Sequence, residues 1–185
     1  MRSILVVGGP PNSGKSTFAE SLVRALQNQG VLAEAVDLDS WSPTLSLIKG
    51  EISKEERDAM KRKSISPGDI QEAADRLRKA RKNYDIVVGD APGGISPDVK
   101  PIYRAATHAI ILCRDDKREE IDEWKMFFST LELRIIAVII SKASGEETIR
   151  GGDLIEGTLV GLDRKPIDTP AMRSLASILR ANLGL

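Results

Sequence analysis

The stretch GGPPNSGKST, residues 8–17, follows the apolar run ILVV at 4–7 and leads into residues of helical periodicity. A strand-to-helix turn needs one or two special residues, and this one brings glycines, prolines, a lysine and hydroxyls together. From Gly9 to Ser16 it reads G-x-x-x-x-G-K-S, the spacing of a phosphate cradle. Glycines let backbone N–H groups approach phosphate oxygens, and the loop feeds the positive end of the next helix dipole. In this reading Gly9, Asn12, Ser13, Gly14, Lys15, Ser16 and Thr17 bind a nucleotide. Lys15 puts its charge on the β- and γ-phosphates and so counts as catalytic, and the Ser16 hydroxyl ligates Mg²⁺. A glycine-rich turn with an incidental lysine is the alternative, and the preceding strand and following helix argue against it.

The rest of the chain alternates short β-branched runs with longer amphipathic stretches, the pattern of an α/β domain with a mainly parallel sheet. Strands are predicted at Ser3–Val7, Ala33–Asp37, Asp85–Gly89, Thr107–Cys113, Arg134–Ile140 and Ile155–Leu162. Their continuous apolar character suits strands covered on both faces. Helices are predicted at 15–28, 67–82, 117–131 and 170–182, the second opening with a Ser66-Pro67 cap. Residues 40–66 break the rhythm. They are read as a loop and short helix, with Ser53 and Glu56 spaced as a capping box, inserted into one domain spanning 1–185. Such excursions at strand ends often overhang a ligand crevice, and a solvated cap is the alternative.

The 185 residues are 41% hydrophobic and carry 27 basic against 27 acidic side chains, so no global field favours nucleic acid or an anionic membrane. Nucleic acid stays open as a partner without being indicated. A single cysteine, Cys113, in the apolar run HAIILC reads as a core thiol and fits a reducing cytoplasm. His108 opens the same run and reads as structural. The apolar run near the N-terminus is too short for a signal peptide or membrane span.

Two carboxylate motifs accompany the loop. YDIVVGDAPGG (84–94) is an apolar strand ending in Asp90, placed to hold magnesium or its water, with the Gly93 N–H within reach of a γ-phosphate. AVDLDSW (35–41) puts Asp37 and Asp39 two apart, hence on one face of a strand end. Asp39 is the candidate for orienting or deprotonating the attacking group, and Asp37 for the metal beside Ser16 and Asp90. The alternative for Asp90 is a loop aspartate before a Pro-Gly turn, and for Asp37 and Asp39 a solvated strand end.

GPPNSGKST, VDLDS and DAPGG, in that order, resemble the SIMIBI class of P-loop NTPases, which includes partition-type ATPases and dethiobiotin synthetase-like enzymes. The polynucleotide 5′-hydroxyl kinases are similar in their loop and in an Asp-x-Asp after the second strand. GTLVGLDR (157–164) also resembles the NTPase module found with CRISPR-associated ring-nuclease proteins. Partition ATPases carry a signature lysine early in the loop, where this chain has Gly9, Pro10 and Pro11. Their lysine-swapped dimer is therefore not implied, and a homodimer stays an open expectation. The resemblance implies a three-layer fold with sheet order 2-3-1-4-5 plus a sixth strand, binding nucleotide across the carboxyl ends.

Guanine-specific relatives use a carboxylate in Asn/Thr-Lys-x-Asp after a late strand, where this chain has Ser141-Lys142-Ala143-Ser144. Serine cannot accept both guanine donors at full charge, which favours ATP. The expected activity is Mg-ATP hydrolysis or phosphoryl transfer to an unidentified hydroxyl acceptor. The alternative is a nucleotide-dependent regulatory module that binds a protein partner with little turnover. Arg57, Arg62 and Arg114 are candidates to reach a transferred phosphate. Lys142 and Leu162–Arg164 are candidates for the base pocket, with ordinary strand-end polar residues as the alternative for both. Trp41 and Trp124 read as packing residues, and the basic residues of 67–82 as a solvated helix face.

Overall fold

The computed structural model describes residues 2–39, 42–61, 66–163 and 165–185. Seven strands form one sheet: β1 Ser3–Gly8, β2 Ala33–Asp37, β3 Ile86–Asp90, β4 His108–Arg114, β5 Arg134–Lys142, β6 Thr148–Arg150 and β7 Ile155–Val160. The order is β2-β3-β1-β4-β5-β7-β6, parallel except for the β6–β7 pair. The expected order holds, with the sixth predicted strand, β7, beside β5. Edge strand β6 escaped the sequence reading because three residues show no usable alternation.

Every residue of β1 is buried, and its side chains alternate between two cores. Leu5 and Val7 join Phe18, Leu22 and Leu26 of α1 (Lys15–Asn28) with Met172, Leu175 and Leu179 of α7 (Pro170–Asn182). Ile4 and Val6 face the other layer, built from α4 (Pro67–Ala80), α5 (Lys100–Arg104) and α6 (Ile121–Thr130). There Tyr103, Trp124, Phe127 and Phe128 pack mostly edge to face, with centroids 5.2–6.2 Å apart. Helices thus cover both faces of the sheet, and a buried β1 emerges at its carboxyl edge as the glycine-rich loop.

Three local expectations change. The helix expected at 117–131 begins as a 3₁₀ stretch, Asp115–Glu120, kinked at Lys117, and turns α-helical only at Ile121. Segment 97–104 supplies a 3₁₀ turn and α5 where no helix was expected. Among its described residues the insertion holds two helices rather than one, α2 (Thr44–Ile48) and α3 (Lys54–Met60). The Ser53/Glu56 capping box forms at α3 as its spacing predicted, and Ser66 caps α4. Trp41, Arg62 and Arg164 lie outside the described residues. Among the described residues, no helix is long and apolar enough to cross a membrane.

Candidate functional site

Helix α1 starts at Lys15, with Gly14 at its N-cap in the left-handed region at φ 85° and no side chain capping it. Its first N–H groups are therefore free to meet an anion. A Cβ on Gly14 would stand 2.7 Å from the Leu162 carbonyl oxygen, and one on Gly9 1.9 Å from that of Leu112. Neighbouring strand ends thus press the loop into shape, and only glycine fits. Ser13 Oγ donates to the Pro10 carbonyl at 2.9 Å. Lys15 Nζ donates to the Gly9 and Pro10 carbonyls at 3.1 and 2.9 Å. Burial pulls the Lys15 ammonium below its usual range, and the charges of Asp90 and Asp39 pull it back.

Asp90 ends β3 beside this loop, buried, with the Ser16 hydroxyl close enough to its carboxylate to favour the charged form. Burial, then the charge of Asp37, pushes the Asp90 carboxyl up to about 7, against the pull of Ser16 and Lys15. The DAPGG turn behind it packs onto the loop: a Cβ on Gly93 would meet Pro11 Cα at 2.9 Å. Asp39 is half-buried past the end of β2, where burial and the Asp37 charge push its carboxyl up to about 7. Ser42, Lys15 and Arg57 act in the opposite direction on it.

Asp37 is placed differently from the expectation. It stands next to Asp90 in sheet register, and both of its oxygens accept hydrogen bonds from the chain. Oδ1 accepts the Asp39 N–H at 3.0 Å, and Oδ2 accepts the Ser46 N–H and hydroxyl at 3.0 and 3.3 Å. The period-two argument put both aspartates toward the crevice. The chain leaves the strand after Asp37 and wraps back over it, so only Asp39 reaches the cavity. Asp37, expected beside the metal, does not line the cavity, and through Ser46 and the Asp39 N–H it braces the insertion.

The loop, Asp39, Asp90 and the insertion enclose a cavity of about 820 Å³. A second, of about 640 Å³, adjoins it through Asn12, Leu162 and Asp163 and runs past Lys142 and Ser144. Lys142 and Leu162, the candidates for a base pocket, both line this second cavity. Arg114 does not reach the first cavity: it lines the second, and its guanidinium is paired with Asp116 at 2.6 and 2.8 Å. Arg57 of α3 does line the first cavity. Ser42, Thr44 and Leu47 line it too and were missed. Their only sequence signal was the i, i+3 spacing of Thr44 and Leu47, too short to orient a helix.

The donor set near Ser16 suits magnesium brought in by a nucleotide. Among the described residues, no group of three or more His, Cys, Asp or Glu side chains is arranged to hold a metal ion. One hydroxyl and one carboxylate leave most of an octahedron to phosphate oxygens and water, the usual division for this ion. Ser16 and Asp90 would hold it, and its charge would relieve the crowding of Asp90 by Asp37 and Asp39.

No protein-family model and no curated protein sequence matches the chain. Solved structures do. The cell division ATPase MinD of Pyrococcus furiosus superposes with a TM-score of 0.60 at 17% identity, over 96% of this chain and 81% of that one. A nucleotide-binding protein of Archaeoglobus fulgidus, in complex with ADP, gives 0.60 at 16% identity over 95% and 87%. Cobyrinic acid a,c-diamide synthase of Mycobacterium smegmatis, with a bound ATP analogue and magnesium, gives 0.57 at 16% over 79% and 77%. The chain has the fold of the SIMIBI-class P-loop NTPases, as its three motifs implied.

Proposed function

We propose that this chain is a single Mg-ATP-binding domain that transfers the γ-phosphoryl group to a hydroxyl acceptor or to water. The observation that carries the reading is the meeting of Ser16 with Asp90 at the head of a glycine-lined loop holding Lys15. Gly9, Asn12, Ser13, Gly14, Lys15, Ser16 and Thr17 surround the phosphates, and the base lies in the second cavity near Lys142 and Ser144. Ser16 and Asp90 would hold magnesium, which would supply charge neutralisation at the phosphates. The nucleotide-bound neighbours of the same fold support this reading. A reducing cytoplasm fits the free thiol of Cys113.

Asp39 is the proposed base. Its carboxylate lines the phosphate cavity and is raised toward neutrality, where proton transfer is effective. The acceptor oxygen bonds to the γ-phosphorus as the bond to the β-phosphate oxygen breaks. The acceptor proton passes to Asp39, and ADP leaves. Most of the acceleration comes from positioning and charge neutralisation by the loop and Lys15.

The test is a single-turnover incubation of γ-labelled ATP and Mg²⁺ with metabolite pools and 5′-hydroxyl oligonucleotides, for wild type and Asp39→Asn. Label should leave ATP in the wild type. The variant should bind ATP as well or slightly better and turn over more slowly by a factor on the order of 10²–10⁴. Equal rates would reduce Asp39 to a strand-end residue. Label that never leaves ATP in the wild type would favour the regulatory binding module.

A further inference from the structure

A cavity of about 820 Å³ exceeds what a triphosphate chain alone requires, since pockets of about 300–1,000 Å³ hold whole drug-sized ligands. One side of it comes from the insertion rather than the loop, through Ser42, Thr44, Leu47 and Arg57. Arg57 turns inward from α3, with 13% of its side chain exposed. Among the described residues its guanidinium makes one hydrogen bond, Nη1 to Asp58 Oδ1 at 3.3 Å, while Nε is buried with no partner. A desolvated guanidinium with donors unspent is costly until an anion completes it. Two hydroxyl-bearing residues and one apolar side chain share its wall, which is the equipment for a small polar ligand.

The nucleotide does not need this cation. The loop N–H groups, Lys15 and the Ser16–Asp90 pair already answer the terminal phosphates, and the charges of Lys15 and Arg57 both act on Asp39. A water acceptor would need neither Arg57 nor Leu47. We propose that Arg57, with Ser42 and Thr44, binds a phosphate group on the acceptor itself, so that the substrate is a hydroxyl compound already carrying a phosphate. Its hydroxyl then lies toward Asp39 and its phosphate toward α3. This assignment rests on the Mg-ATP reading and names the substrate class for it.

The experiment fills the loop first. Wild type, Arg57→Ala and Arg57→Lys are titrated calorimetrically with adenylyl imidodiphosphate and Mg²⁺, then with inorganic phosphate as probe of the second anion site. The analogue should bind all three alike. Phosphate should bind the loaded wild type, bind Arg57→Ala at least about tenfold more weakly, and bind Arg57→Lys in between. Repeating with glycerol 3-phosphate and with a 5′-hydroxyl dinucleotide separates a phosphorylated metabolite from a phosphodiester end. Circular dichroism melts of the variants guard against a lost fold, and Arg57→Lys keeps the charge if the alanine variant unfolds. Equal phosphate affinity in wild type and variants overturns the assignment, as does no phosphate binding to the loaded wild type. A tenfold loss of analogue affinity in Arg57→Ala overturns it too, by moving Arg57 onto the nucleotide. If the wild type takes up no analogue, the Mg-ATP reading fails at that earlier step, and this assignment falls with it.

Discussion

Lys15 is buried among carbonyl acceptors, and two carboxylates hold its charge in place. The proposed Mg-ATP reading sets the ammonium against the β- and γ-phosphates, so Lys15→Ala should weaken ATP binding by a factor on the order of 10² while leaving adenosine binding unchanged. Calorimetry with both ligands checks this, and equal losses would move Lys15 off the phosphates. Asp39 carries a stability consequence as well. Its folded-state carboxyl sits at about 7 against an ordinary 3.8, so the folded protein holds the proton more tightly than the unfolded chain. Its charge therefore costs nothing below the ordinary value, and the cost grows as pH rises through about 7. Without added nucleotide, Asp39→Asn should raise the melting temperature at pH 8 and change it little at pH 4. A pH-independent difference between the two proteins would show that Asp39 does not titrate in this range.

At the scale of elements, the path of the chain after β2 decides how the site is built. Asp37 holds α2 through Ser46 and holds Asp39 through its N–H, so one carboxylate ties strand, turn and helix together. Leu45, wholly buried, anchors α2 against the α1 layer, whereas α3 buries none of its residues fully. The insertion is therefore fastened near Asp37 and looser toward Arg57. Asp37→Ala leaves the Ser46 and Asp39 donors without their acceptor and should cost about 1–3 kcal/mol of stability. It should also make residues 42–60 the first segment cleaved by a nonspecific protease, read by mass spectrometry of the early fragments. First cuts elsewhere, at the wild-type rate, would show that α2 holds without Asp37.

At the scale of the molecule, the sheet centre can be followed through one thiol. Cys113 is buried in β4, its Sγ donating to the Lys117 carbonyl, and burial with nearby Glu120, Glu119 and Asp116 pushes it up to about 11. The reactive thiolate is scarce at neutral pH, so a disulfide reagent should label the native protein only as fast as it opens. Urea should raise that rate in parallel with the loss of circular dichroism, and Mg-ATP should slow it through linkage. Rapid labelling of the native protein would show that β4 opens locally, independently of the rest.

Much of this protein was legible in the order of its residues. Strand β1, the glycine-lysine loop and helix α1 are local: short-range sterics and dipoles determine them, so GGPPNSGKST carried its own reading. The Ser53/Glu56 and Ser66 caps were readable for the same reason, since they close over three residues. The apolar β3 strand likewise delivered Asp90 to Ser16. What the sequence could not settle was direction after a strand ends. Asp37 and Asp39 look equivalent at a two-residue period, yet a turn completed by Ser46 sends one under the chain and the other into the cavity. Arg57 and Arg114 look equally available as exposed-type cations, and only packing pairs Arg114 with Asp116 while leaving Arg57 beside the phosphate loop. Edge strand β6 exists because β7 gives its three residues a partner, not because of any pattern of its own. Hydrogen bonds within a few residues are written in the sequence, while contacts that depend on where two distant segments come to rest are decided only when the whole sheet and its layers have formed.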